Sequence, residues 1–314
     1  MHIPDGFLDA KTAIAAGVLA VTSLGVALRQ ARLQLPPRRV PLMGLAAASV
    51  FAAQMLNFPV AGGTSGHLIG ATLAAVLLGP SAAVVVLSAV LIVQCLLFAD
   101  GGVTALGANV FNMAVVGTLG GYAVYRGVRR VFPGLRGTVL AAAFAGWCST
   151  LLAAVSCTGQ LALSGTLRWS VAFPTMANVH MLIGLGEGAI TALVVAAIAR
   201  TRPELVEAGA APRVTEHWGE FVTFGTILAL GLVLFVAPFA CSWPDGLEKV
   251  AETLGFASHA ADKPLLGSPL ADYRIPGLGS ANVATALAGA IGTVVVFALA
   301  WLLARILVAE THES

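Results

Sequence analysis

The chain has 314 residues, 58% of them hydrophobic and only 10% charged, with a net charge of +2. A soluble domain carries about 25% charged residues, so a mean hydropathy of +0.90 over the whole length exceeds what one buried core explains. The net charge by itself says nothing about nucleic acid, but with the basic residues at span ends and no basic, aromatic-interleaved stripe, no nucleic-acid partner is expected. Apolar runs of about 17–25 residues suffice to cross the hydrocarbon as helix. They lack the strict alternation of barrel strands.

The chain opens MHIPDGFLDAK, with no basic residue before Lys11. A secretory signal needs one ahead of its apolar core, so the N-terminus is expected to be retained. Nine spans follow, near 12–28, 41–59, 68–79, 81–98, 104–124, 139–161, 171–199, 220–240 and 282–304. The third is short and ends at Gly79-Pro80, so 68–98 reads alternatively as a helical hairpin. The expected fold is an all-α polytopic membrane protein with the N-terminus outside and the C-terminus inside. That orientation puts four arginines in each of two inner loops, 29–40 and 125–137, as the positive-inside rule asks. A polar stretch with Pro203 and Pro212 breaks the pattern. Residues 1–200 read as a seven-span domain and 201–219 as a cytoplasmic linker. Residues 220–314 read as a two-helix hairpin whose outer loop, 241–281, faces the periplasmic side.

A histidine at position two has a chemical consequence. The Met1 amine, the amide nitrogen of His2 and the His2 imidazole Nδ1 close five- and six-membered chelate rings around one ion. Binding through the amide displaces its proton, which Ni²⁺ and Cu²⁺ do well, Co²⁺ less readily and Zn²⁺ not. A bulky residue at position two also protects Met1 from removal. Ile3-Pro4-Asp5-Gly6 is turn-prone and able to fold the terminus back toward the membrane body. On the same side, His67 ends the glycine-rich AGGTSGH, where Thr64 and Ser65 are placed to fix the imidazole tautomer. The residues alone leave two readings open: a metal site, or an incidental terminal histidine and a satisfied loop histidine.

MHIPDGFLD, Asn57-Phe58-Pro59-Val60, Gly-Thr-Ser-Gly-His67, GANVFNMA (107–114) and HMLIGLGEGAIT (180–191) resemble the nickel/cobalt substrate-capture (S) components of energy-coupling factor transporters, the CbiM/NikM family. Pro244-Asp245-Gly246-Leu247-Glu248, then Ser268 to Tyr273, is similar to the small accessory subunit of those transporters (CbiN/NikN). The resemblance implies a fusion of the two. It implies Met1, His2 and His67 as planar nitrogen ligands of Ni²⁺ or Co²⁺, carried as substrate, with no organic cofactor. It further implies a transmembrane coupling subunit and two cytoplasmic ATPase subunits as partners, alongside membrane lipid, in the prokaryotic cytoplasmic (inner) membrane. The accessory module is implied to help load metal through its outer loop.

Other polar residues in apolar segments are expected to face cavities or partners. His180 and Glu187, seven apart on one helix face, read as a relay or as an interhelical pair. Asn109 and Asn112 read as support near the site or as interhelical glue. The sequence has no GxxxxGK[ST], HExxH or GxSxG, so no P-loop ATPase or hydrolase motif marks it as an enzyme. A stand-alone secondary metal carrier or channel is the alternative reading.

Overall fold

The computed structural model describes residues 1–206, 218–261 and 265–309; most of the expected linker, 207–217, lies outside the described residues. Helix α1 (Ala10–Gln34) starts at Asp9, whose carboxylate accepts from the Thr12 amide. It is followed by α2 (Val40–Gln54), α3 (Ala71–Leu78) and α4 (Pro80–Phe98). A short α5 (Leu106–Asn109) runs through a π-helical stretch, Val110–Val116, into α6 (Gly117–Val131). The longest helices, α7 (Gly134–Leu163) and α8 (Trp169–Thr201), pack along each other. Helices α9 (Trp218–Phe235) and α11 (Ala281–Ala309) flank a loop that carries the short α10 (Gly246–Leu254). Among the described residues, six helices are long and apolar enough to cross a membrane: α1, α4, α7, α8, α9 and α11.

Two sequence expectations need correction. The span expected over 41–59 stops at Gln54, and the chain turns into an antiparallel hairpin. In it, β1 (Phe58–Val60) pairs with β2 (Thr64–Gly66), Phe58 opposite Gly66 and Val60 opposite Thr64. Pro59 holds Phe58 extended and donates nothing to a helix. Gly62 and Gly63, at φ 78° and 71°, make the turn. The span expected over 68–79 begins only at Ala71 and has 8 residues, about 12 Å of helix, too short to cross. The all-α expectation therefore holds for the body but misses the short hairpin that leads into His67.

Large apolar side chains face outward around the body. Ile14, Val18 and Val21 on α1, Leu193 on α8, Phe224 and Phe235 on α9 and Ile306 on α11 are all exposed, as a lipid-facing surface requires. Inside, α11 presents buried Ala284, Ala288, Val296, Ala300 and Ala304, a small-residue ridge at helical spacing. That ridge lets α11 lie along α2, with Gly44 against Phe297 and Gly289 against Met55.

Candidate metal centre

The first seven residues fold into one end of the body. Ile3 is wholly buried and Phe7 nearly so. The Ile3 amide donates to Asn109 Oδ1 (2.8 Å), and its carbonyl accepts from Asn109 Nδ2 (3.1 Å) and the Gly102 amide (2.8 Å). Asp5 Oδ1 accepts from the amide and hydroxyl of Thr104 at 2.8 and 2.6 Å. Thr166 donates to the Phe7 carbonyl, and the Phe7 ring tilts against Phe256 of the accessory loop at 5.0 Å. The terminus is thus held at main chain and side chain both, which fixes where Met1 and His2 lie.

The Met1 amine donates to His67 Nε2 at 2.9 Å. The His2 and His67 rings stack with centroids 5.4 Å apart and planes 18° from parallel. His67 Nδ1–H donates to the Leu68 carbonyl at 3.2 Å, which leaves the Nε2 lone pair toward the amine. This corrects the expected tautomer partner. Ser65 instead donates to the Trp243 carbonyl at 2.7 Å, and Thr64 sits buried in β2 opposite Val60. Burial first, then the neighbouring ammonium and His2, push the His67 pKa down to about 3, so the imidazole is a neutral donor at physiological pH.

Two carboxylates close the ring of contacts. Asp100 Oδ1 lies 2.9 Å from His2 Nδ1, and Tyr273 of the accessory loop donates to Asp100 Oδ2 at 2.5 Å. Burial works to raise the Asp100 carboxyl, but His2 and the Tyr273 hydroxyl together hold it well below the usual carboxylate range. Asp245 Oδ2 accepts from the Met1 amine at 2.6 Å and lies 3.9 Å from His67 Nε2. Burial also works against this carboxylate; the ammonium, then His67, outweigh it and lower its pKa. His2 Nε2 is buried without a partner among the described residues. A cavity of about 490 Å³ adjoins these groups, and its lining includes His2, His67, Asp100, Asp245, Glu248 and Asp272.

The accessory motif is a helix start. Asp245 caps α10: its Oδ1 accepts from the Leu247 and Glu248 amides at 2.8 and 2.9 Å, while Glu248 accepts from the Asp245 amide at 2.9 Å. This reciprocal box satisfies the free amides of the first turn and leaves Oδ2 facing Met1. Gly246 is required by proximity: a Cβ there would lie 2.7 Å from Ile183 Cδ1 and 2.9 Å from His180 Nε2. Leu247 is buried, and the Pro244 carbonyl accepts from the Ser65 amide at 2.9 Å.

The remaining expected residues separate. His180 and Glu187 do not pair with each other. Glu187 accepts from the Ile69 and Gly70 amides at 2.6 and 2.9 Å, pinning the turn between His67 and α3, while His180 Nδ1–H donates to the Met176 carbonyl at 2.8 Å. Asn109 braces Ile3, but Asn112 bonds across to Gln160 and Ser156 of α7. Asp100 was missed by sequence reasoning. Its signal was available: it is the single acidic residue between Asp9 and Glu187, and a lone carboxylate amid apolar spans marks a site. Among the described residues, no three His, Cys, Asp or Glu side chains cluster to hold a metal.

These observations define a multi-pass membrane protein with a nitrogen-rich pocket built by its own N-terminus and covered by a loop from its last two long helices. Residues 2–205 match the family described as the cobalt uptake substrate-specific transmembrane region, CbiM, and residues 219–309 match the PDGLE domain. The chain is 40% identical over 307 residues to the putative fused nickel transport protein NikMN of Archaeoglobus fulgidus, covering 97% of this chain and 98% of that one. It is 32% identical to the cobalt transport protein CbiM of Geobacter sulfurreducens, over 88% of this chain and 84% of that one. A solved structure described as a truncated transition metal transporter superposes with a TM-score of 0.59 at 36% identity, covering 64% of this chain and 99% of that chain. The chain belongs to the CbiM family of nickel and cobalt transport proteins, with a PDGLE domain following the CbiM region.

Proposed function

We propose that the chain is the substrate-capture subunit of an energy-coupling factor transporter that takes up Ni²⁺, with Co²⁺ the second choice. The ligands are the Met1 amine, the His2 amide nitrogen, His2 Nδ1 and His67 Nε2. The observation that carries this reading is the 2.9 Å approach of the Met1 amine to His67 Nε2, with the His2 ring stacked beside it. The amine and His67 Nε2, 66 positions apart in sequence, meet here, and the other two nitrogens belong to His2, the next residue along the chain. Nickel is favoured because its d⁸ ion prefers a plane of strong nitrogen donors and displaces an amide proton. The fused relative from Archaeoglobus fulgidus is named a nickel transport protein, which supports the same choice.

Chelation asks one thing of the His2 ring. Its Nδ1 faces Asp100 in this structure and its Nε2 faces nothing. Binding an ion through Nδ1 requires the ring to turn away from Asp100, which leaves that carboxylate beside the ligand, where it balances the charge of the site. Capture occurs at the outer face of the prokaryotic inner membrane, with the N-terminus outside. Residues 1–200 form the capture domain, 201–219 a cytoplasmic linker, and 220–314 the accessory domain. ATP turnover by two cytoplasmic ATPase subunits, transmitted by a transmembrane coupling subunit, drives release inward.

The test is calorimetric titration of Ni²⁺ into the purified chain and into a version with several residues added before Met1. The addition carries the free amine out of chelating reach of His2 and leaves every side chain in place. Tight binding only by the unextended chain is expected; equal affinity overturns the ligand set. Metal uptake into vesicles by the purified chain without ATPase partners would instead favour the stand-alone carrier.

A further inference from the structure

We propose that Asp245, from the accessory domain, is the buried counter-ion of the captured metal, so that the metal site is complete only when the accessory loop is docked. The inference rests on the nickel reading above and adds to it a group outside the four nitrogens. Asp245 approaches both segments of the ligand set: its Oδ2 is 2.6 Å from the Met1 amine and 3.9 Å from His67 Nε2. An ion seated between those two nitrogens lies within a few ångströms of this oxygen. The side chain is 15% exposed, so its charge acts in a poorly screened environment.

The two oxygens divide their work. Oδ1 is committed to the Leu247 and Glu248 amides, which fixes the carboxylate plane. Oδ2 is thereby aimed at the amine. Charge matching gives the arrangement its purpose. A Ni²⁺ held by one deprotonated amide and three neutral nitrogens carries a net +1, the same charge as the ammonium that Asp245 faces here. One fixed carboxylate neutralises either occupant, so the ion enters without leaving an uncompensated charge in a buried place. The close seat of Gly246 on α8, against His180 and Ile183, brings the carboxylate this near.

Asp245→Asn isolates the charge, because asparagine caps a helix as well as aspartate and nearly matches its shape. In the full chain, Ni²⁺ affinity is expected to fall about 10–100-fold, the range for groups that act on ligands from outside the metal shell. The loss is expected in a faster dissociation rate, read by chasing the bound ion with a chelator. A loop that merely gates entry would slow binding and release together and leave Kd unchanged; that result overturns the proposal. Hydrogen exchange at the Leu247 and Glu248 amides reports whether the cap survives. Should it not, a structure of the Ni²⁺-bound wild-type chain decides: Asp245 Oδ2 within about 6 Å of the ion, the reach of an effective charge partner, supports the proposal, and a carboxylate swung away refutes it. Failure of wild type to bind Ni²⁺ defeats the nickel reading itself, whereas tight wild-type binding that Asp245→Asn leaves unchanged defeats only this inference.

Discussion

Two buried polar clusters lie in this molecule, and they differ in kind. Between α7 and the π-helical stretch, Asn112, Ser156 and Gln160 close on one another: Asn112 Oδ1 accepts from Ser156 at 2.6 Å and from Gln160 at 2.9 Å, and Asn112 donates to Gln160 Oε1 at 2.7 Å. All three are neutral and find their partners within the group, as interhelical glue does. The cluster at the N-terminus holds an ammonium, two carboxylates and two imidazoles, and it leaves His2 Nε2 buried without a partner among the described residues. Buried polar groups are normally satisfied. A cluster that concentrates charge and leaves a nitrogen unused is arranged for something beyond folding.

The contrast breaks most sharply under substitution. His67→Ala is expected to reduce Ni²⁺ affinity by more than the roughly 100-fold upper range of changes outside the metal shell, while Asn112→Leu leaves affinity unaltered; titration of both variants checks it. Equal losses would erase the distinction. Asp100→Asn, which weakens the hold on His2 without removing a nitrogen, is expected to cost about 10–100-fold in the same titration.

Acid sharpens the comparison next. Amine and amide must shed protons to bind an ion, so affinity is expected to fall steeply from about pH 8 to 5, while His67 contributes nothing to that slope. Its pKa is held near 3 in the fold, and it is neutral throughout. The sign for stability follows. Below the ordinary value of 6.5, the unfolded chain takes up a proton at His67 that the folded chain refuses, so this residue's share of stability is lost as pH falls from there toward 3. Melting curves of wild type and His67→Gln across that interval should converge with acid.

Glu187→Gln tests folding, because its carboxylate serves two amides that position His67. A loss of about 1–3 kcal/mol, the cost of leaving a buried donor unsatisfied, is expected in unfolding measurements. The smallest effect belongs to the self-contained cluster. Ser156→Ala, which removes one of its three hydrogen bonds, should cost only about 0.6 kcal/mol, the mean for an interhelical hydrogen bond in a membrane protein.

The sequence made some of this legible and hid the rest for physical reasons. Long apolar runs such as Pro80–Phe98 and Ala281–Ala309 declare themselves, because hydropathy alone sets them. The chelating order Met1-His2 is local chemistry and needs no fold to be read. The hairpin at 58–66 was hidden because three-residue strands carry no period, although Pro59 and the paired glycines hinted at it. Pairing His180 with Glu187 followed helix periodicity correctly to one face, but both found main-chain partners that sequence spacing cannot display. The approach of Asp245 to Met1 joins residues 244 positions apart, and only the docking of α10 on α8 brings them together.

The account's central claim is a plane of four nitrogens that includes the first amine of the chain. The most direct measurement is the magnetic state of Ni²⁺ bound to the purified protein. A square-planar d⁸ ion pairs all its electrons, so the account predicts a diamagnetic complex with four nitrogen neighbours and no coordinated water in X-ray absorption. A paramagnetic, six-coordinate ion carrying oxygen ligands would contradict it.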